Sequence, residues 1–151
     1  MTKTILLVED EVHKRFEMKQ CVLDAYEVEP EIVDGVASAV LAVLTADYDL
    51  IILDMALSTF GDSAEDKRKG HDQAQGGIEV LRALKQASKS TKILIVTQYD
   101  NFYIAGTKVK LKDSPKVIRD RYHQDVVGAV LYRYKSQATL QKIVSILRAN
   151  K

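Results

Sequence analysis

Apolar and polar positions alternate along this chain in two rhythms. Short apolar runs of the kind buried on both faces of a parallel sheet occur at Thr4–Val8 ("TILLV"), Asp49–Asp54 ("DLIILD"), Lys92–Gln98 ("KILIVTQ") and Gly128–Tyr134 ("GAVLYRY"). A weaker one lies at Glu31–Val33, where Pro30 places the strand near a sheet edge. Each run is followed by helical spacing. Glu11–Tyr26 sets Val12, Phe16, Leu23 and Tyr26 roughly on one face, Val36–Asp47 is rich in Ala and Leu, and Gly77–Ser88 aligns Ile78, Leu81, Leu84 and Lys85. Ser114, read as an N-cap with Pro115 at the first helical position, opens Ser114–Gln124, and Ser136 caps a closing helix to Asn150. Five β-α units in a row predict a parallel sheet with helices on both faces.

Composition narrows the class without naming an activity. A chain of 151 residues, 46% hydrophobic and 28% charged with 7 Gly and 2 Pro, reads as one soluble domain. A formal net charge of +1 supplies no global field toward nucleic acid or membrane. No apolar run approaches the roughly 18 residues of a membrane span. The opening "MTKTILLVEDE" reaches its acids too soon for a signal peptide. The single cysteine, Cys21, fits a reducing compartment, so a cytoplasmic location is expected, and its place among helical apolar positions reads as a core thiol. Two segments, about 58–76 and 99–113, are too long for simple turns, and such loops are usually functional or disordered.

In an open α/β sheet, ligands gather outside the carboxyl ends of the strands. There the first strand delivers Glu9, Asp10 and Glu11, the third Asp54, the fourth Thr97 and the fifth Lys135, while Asp34 of the second lies to the side. With strands one and three adjacent, Glu9, Asp10 and Asp54 converge, and carboxylates that close repel unless a cation joins them. Hard oxygen donors with room for water suit Mg²⁺. Lys135 and Thr97 then read as contacts to an incoming phosphoryl group, and Asp54 as its nucleophile. Each residue has a plainer role open to it. Asp10 and Glu11 would serve as helix caps, Asp54 as a turn residue, Thr97 as a β-branched strand residue and Lys135 as a solvated strand end. The joint order across four strand ends favours the chemical reading.

With these residues in place the chain resembles the receiver domain of bacterial two-component response regulators. "ILLVEDE" is similar to that family's first strand and acid pocket, "YDLIILDMAL" to its phosphoacceptor strand and "GGIEVLRALK" to its third helix. "ILIVTQ" is similar to its switch-threonine strand and "GAVLYRYK" to its fifth strand. The resemblance covers nearly the whole chain apart from the two long segments. It implies a flavodoxin-like (βα)5 doubly wound sheet of strand order 2-1-3-4-5, spanning 1–151 as a single receiver domain with insertions at about 58–76 and 99–113. It implies Mg²⁺ held by Glu9, Asp10, Asp54 and the backbone carbonyl of Ala56. Asp54 would be the phosphoacceptor, Lys135 a phosphate contact, and Thr97 and Tyr132 the switch pair. The implied partners are a histidine kinase or phosphotransfer protein and a separate output protein in trans, with neither nucleic acid nor membrane bound directly. The chain would be a signalling phosphoprotein rather than an enzyme.

Several positions depart from the family pattern. Ser136 stands where a Pro usually follows the Lys, which puts the family's cis-peptide turn in question. Ser58 replaces the Pro usual after the phosphoacceptor, and Gln98 the small residue usual after the switch Thr. Ala56 and Tyr99 occupy the positions that tune self-dephosphorylation; neither readily positions a water, so slow loss of phosphate is implied. The two insertions would flank the crevice as a docking surface or lid. In the second, the period-two "TKVKLKD" forms a small strand or ribbon edge on this reading. Neutral insertion is the alternative, since long surface loops add little closure entropy. His71 in the first is a candidate phosphate or metal neighbour, though a lone loop histidine is more often simply solvated. Two rival functions stay open: a pseudo-receiver acting only as an interaction module, and a Mg²⁺-dependent phosphohydrolase with an aspartyl nucleophile. The second would need an acid two residues after Asp54, where Ala56 stands.

Overall fold

The computed structural model describes residues 2–57 and 76–151. Five strands form one parallel sheet: β1 (Ile5–Val8), β2 (Glu31–Val33), β3 (Leu50–Leu53), β4 (Lys92–Thr97) and β7 (Asp125–Leu131), in the order β2-β1-β3-β4-β7. This is the expected doubly wound order, the fifth strand becoming the seventh because a hairpin precedes it. β5 (Asn101–Ile104) and β6 (Thr107–Lys110) pair antiparallel in a separate two-stranded sheet. The helices among the described residues are α1 (Val12–Tyr26), α2 (Val36–Thr45), α3 (Gly76–Gln86), α4 (Ser114–Tyr122) and α5 (Gln137–Ala149). None is long and apolar enough to cross a membrane.

Both sheet faces are covered, which is why the strands read as unbroken apolar runs. Ile5, Leu7, Leu50, Ile52, Leu94, Val96 and Val130 face Met18, Cys21 and Val22 of α1 and Ile143 and Leu147 of α5. The alternate residues Leu6, Val8, Ile51, Leu53, Ile93 and Ile95 face α2, α3 and α4 through Ala39, Val43, Ile78, Leu81 and Ile118. Cys21 is buried and free, as expected of a core thiol.

Four local expectations shift. The buried stripe of α1 is Lys14, Met18, Cys21, Val22, Ala25 and Tyr26, whereas Val12 and Phe16 stand 62% and 65% exposed. The face is rotated because the i, i+3, i+4, i+7 set beginning at Met18 packs on the sheet. The fifth sheet strand ends at Leu131, so Tyr132, Tyr134 and Lys135 lie beyond it. Its start is drawn back to Asp125, whose N–H donates to Thr91 O at 3.1 Å. Ser114 is the first residue of α4 rather than its cap. A 3₁₀ turn, Leu111–Asp113, leads into the helix, and the Ser114 hydroxyl donates back to Leu111 O at 2.7 Å.

The segment 99–113 is built into the core. Its β5–β6 hairpin closes through Ala105 and Gly106, with φ of 50° and 83°. Two positive φ values match the twist of a two-residue hairpin loop. Phe102, Ile104, Val109 and Leu111 are buried in the cluster that also holds Ile118 and Tyr122, while Lys108 and Lys110 face outward. The other long segment, with Ser58 and His71, lies outside the described residues apart from Gly76.

Candidate phosphoacceptor site

Sheet register builds the site. Val8 pairs with Leu53, so the next residues, Glu9 and Asp54, leave the sheet side by side. The Glu9 N–H donates to Val33 O at 3.1 Å, holding the end of β1 against β2. Glu9, Asp10 and Asp54 each present a carboxylate oxygen within 4.8 Å of the others. Glu9 and Asp54 are 1% and 4% exposed, and Asp10 is exposed, so the cluster has a buried floor and an open side. This hard, all-oxygen donor set fits a divalent cation such as Mg²⁺. Glu11, the plainer candidate for a cap, is one: its carboxylate accepts from the N–H groups of His13 at 3.0 Å and Lys14 at 2.8 Å.

A cation that sequence reasoning missed sits in the same pocket. Lys14, in the first turn of α1, is 1% exposed. Its Nζ lies 2.7 Å from Glu9 Oε1 and 3.1 Å from Asp54 Oδ2. It also donates to Val96 O at 2.6 Å and to Gln98 Oε1 at 3.3 Å. The second oxygens are engaged as well: Glu9 Oε2 accepts from Glu11 N at 3.0 Å, and Asp54 Oδ1 from Ala56 N at 3.0 Å. Burial, the largest influence, pushes the Glu9 carboxyl up to about 7; Lys14 pulls it down and Asp54 pushes it up. A charged residue within the apolar stripe of α1, four positions before Met18, was the available signal.

The other candidate residues divide. Thr97 is fully buried at the end of β4, its Oγ1 accepting from Tyr99 N at 3.4 Å. The Tyr132 ring is buried, with Lys14 Nζ 5.6 Å from its centroid. Tyr132 N donates to Thr97 O at 2.7 Å, and the phenol hydroxyl donates to Glu17 of α1. Burial and the Glu17 carboxylate together drive the Tyr132 hydroxyl far above the ordinary phenol range. Lys135 is not brought into the pocket. It is exposed, has a φ of 57°, and holds its ammonium 5.3 Å from the Tyr134 ring centroid. No peptide bond among the described residues is cis, including the one joining Lys135 to Ser136.

No protein-family model matches the chain. An uncharacterized protein, y4jR of Sinorhizobium fredii (strain NBRC 101917 / NGR234), is 25% identical over 128 residues, covering 84% of this chain and 85% of that protein. Among solved structures, a response regulator from Colwellia psychrerythraea superposes with a TM-score of 0.64 at 15% identity, covering 99% of each chain. A CheY-like receiver domain protein from Methanospirillum hungatei JF-1 gives 0.59 at 18% identity, over 99% of this chain and 97% of that one. The response regulator TrrA from Thermotoga maritima, solved in complex with Mg²⁺ and BeF, gives 0.59 at 19% identity, over 96% and 99%. At these identities the likeness is one of architecture: the chain has the fold of response regulator receiver domains.

Proposed function

We propose that this chain is a phosphoacceptor receiver that takes a phosphoryl group on Asp54 from a histidine kinase or phosphotransfer protein. Phosphorylation then changes its affinity for a separate output protein in the cytoplasm. The observation that carries this reading is the placement of Asp54 beside Glu9 and Asp10 at the carboxyl ends of adjacent strands in a receiver fold. Mg²⁺ held by Glu9, Asp10, Asp54 and the Ala56 carbonyl would offset the charge of the incoming group. An Asp54 carboxylate oxygen attacks phosphorus, the bond to the donor breaks, and the leaving group departs with the electron pair. Ala56 N–H orients the carboxylate through Oδ1. Thr97 ends the neighbouring strand β4, where its hydroxyl would donate to the new phosphoryl oxygens. The reaction ends on the chain itself, so it is a signalling event rather than turnover.

A second reading, the pseudo-receiver, is favoured by one observation: the pocket already holds an ammonium while Lys135 faces outward. Incubation with Mg²⁺ and acetyl phosphate separates the two. The phosphoacceptor reading expects a rise in intact mass of one phosphoryl group that is absent in Asp54→Asn. A chain that gains no phosphoryl group at any Mg²⁺ concentration would instead be a pseudo-receiver.

A further inference from the structure

We propose that the Lys14 ammonium is the resident cation of the acid pocket, and that a divalent cation takes Glu9 and Asp54 only by displacing it. The inference rests on the reading of the pocket as a divalent-cation site and adds what that site must first give up.

The geometry is specific. Four oxygens surround Lys14 Nζ: two from carboxylates, Glu9 and Asp54, and two from neutral acceptors, Val96 O and Gln98 Oε1. An ammonium has three protons, so this shell over-satisfies it. Losing the two carboxylates leaves Val96 O, Gln98 Oε1 and the face of Tyr132 to keep it. A divalent ion drawing on the carboxylate oxygens that hold Lys14 would meet a like charge close by, a repulsion that burial strengthens. The two cations therefore compete for Glu9 and Asp54.

Stability alone does not account for a lysine here. A buried ion pair gains little over well-packed apolar residues, and the rest of this helix face is Met18, Cys21, Val22, Ala25 and Tyr26. Gln98 points the same way. It stands where the receiver pattern has a small residue, and its amide oxygen accepts from Lys14. The residue that departs from the pattern and the lysine in the pocket form one unit.

The test is titration of Mg²⁺ into the full chain by calorimetry, for the wild type and for Lys14→Met. Methionine keeps the length and flexibility of the stem without the charge. The expected result is a dissociation constant at least about tenfold lower in Lys14→Met. Equal affinities overturn the inference and leave the metal-dependent reading standing; no binding by either protein overturns both. A second measurement uses the wild type alone, should Lys14→Met not fold. The assigned Lys14 ¹³Cε resonance is followed by NMR as Mg²⁺ is added. Displacement moves it in step with the backbone amides of Asp10 and Asp54. A Lys14 resonance that stays fixed while those amides report saturation overturns the inference.

Discussion

Gly77 ties the third helix to the strand that carries Asp54, and a single methyl group tests how tightly. A Cβ built on Gly77 would lie 2.6 Å from Met55 Cα, 2.8 Å from Asp54 O and 3.0 Å from Met55 Sδ. The first two are backbone atoms, so no flexible side-chain end can yield. The nearest contact falls about 0.8 Å short of the 3.4 Å at which such approaches become ordinary. Gly77→Ala must push α3 from the end of β3 by roughly that amount or bend the strand end itself. Overpacking of this kind costs about 1–3 kcal/mol. For a domain of this length that corresponds to a fall in melting temperature of about 2–12 °C. The Gly77 N–H also donates to Met55 O at 3.4 Å, so displacement loosens the turn that follows Asp54. Thermal melts followed by circular dichroism measure the first effect, and the Asp54 and Ala56 amide resonances the second. A Gly77→Ala protein that melts within about 1 °C of the wild type would refute the close approach of helix and strand.

Two further expectations rest on buried groups away from the pocket. Gln124 is 1% exposed and clamps three backbone groups: its Oε1 accepts from Thr91 N at 2.9 Å, and its Nε2 donates to Lys89 O at 2.8 Å and Tyr122 O at 2.9 Å. Gln124→Leu removes the partner of one buried and two part-buried backbone groups and should lower stability by about 1–3 kcal/mol in urea unfolding; a loss under about 0.5 kcal/mol would contradict the clamp. Burial, assisted by Asp24 and Glu17, pushes the Cys21 thiol from 9.0 up to about 12. The folded state keeps this proton where the unfolded chain has released it, so stability falls as pH rises above 9.0. Cys21→Ala should flatten that decline, and the native thiol should resist disulfide reagents at mildly alkaline pH. Rapid labelling of the folded protein would show the thiol to be accessible.

The strands were legible because both sheet faces are covered, so Ile5–Val8 and Leu50–Leu53 carry no polar residue to confuse their reading. The acid pocket followed from parallel register, which sets the residues after Val8 and Leu53 side by side. The hairpin was partly legible. Period-two spacing marked Thr107–Lys110, whereas its partner Asn101–Ile104 shows its alternation only once paired. The inward face of α1 was misread because Val12 and Phe16 look like the start of an apolar stripe, and the true stripe opens on a lysine. Lys14 escaped notice for the same reason. Its partners lie at Glu9, Asp54, Val96 and Gln98, and only the fold joins them. The orientation of Lys135 is likewise a property of the turn after β7, where its backbone is left-handed and its ammonium lies over the Tyr134 ring.

That turn and the acid pocket share one support. Glu17 lies three residues after Lys14 on α1, so the two side chains project from adjoining turns of the helix. Lys14 reaches Glu9 and Asp54, while Glu17 accepts from the Tyr132 hydroxyl and, at 3.3 Å, from the Lys135 N–H. The Tyr132 ring lies between them, hydroxyl on one residue and π-face toward the other. An ammonium drawn away from the carboxylates changes the charge facing that ring and leaves the Glu17 anchor intact. The Glu17 bond holds the Tyr132 hydroxyl while its ring is buried, so a rearrangement that carries the hydroxyl away from α1 must break it. The anchor therefore favours an inward ring in the protein as it stands, and any switch at this position begins from a buried tyrosine.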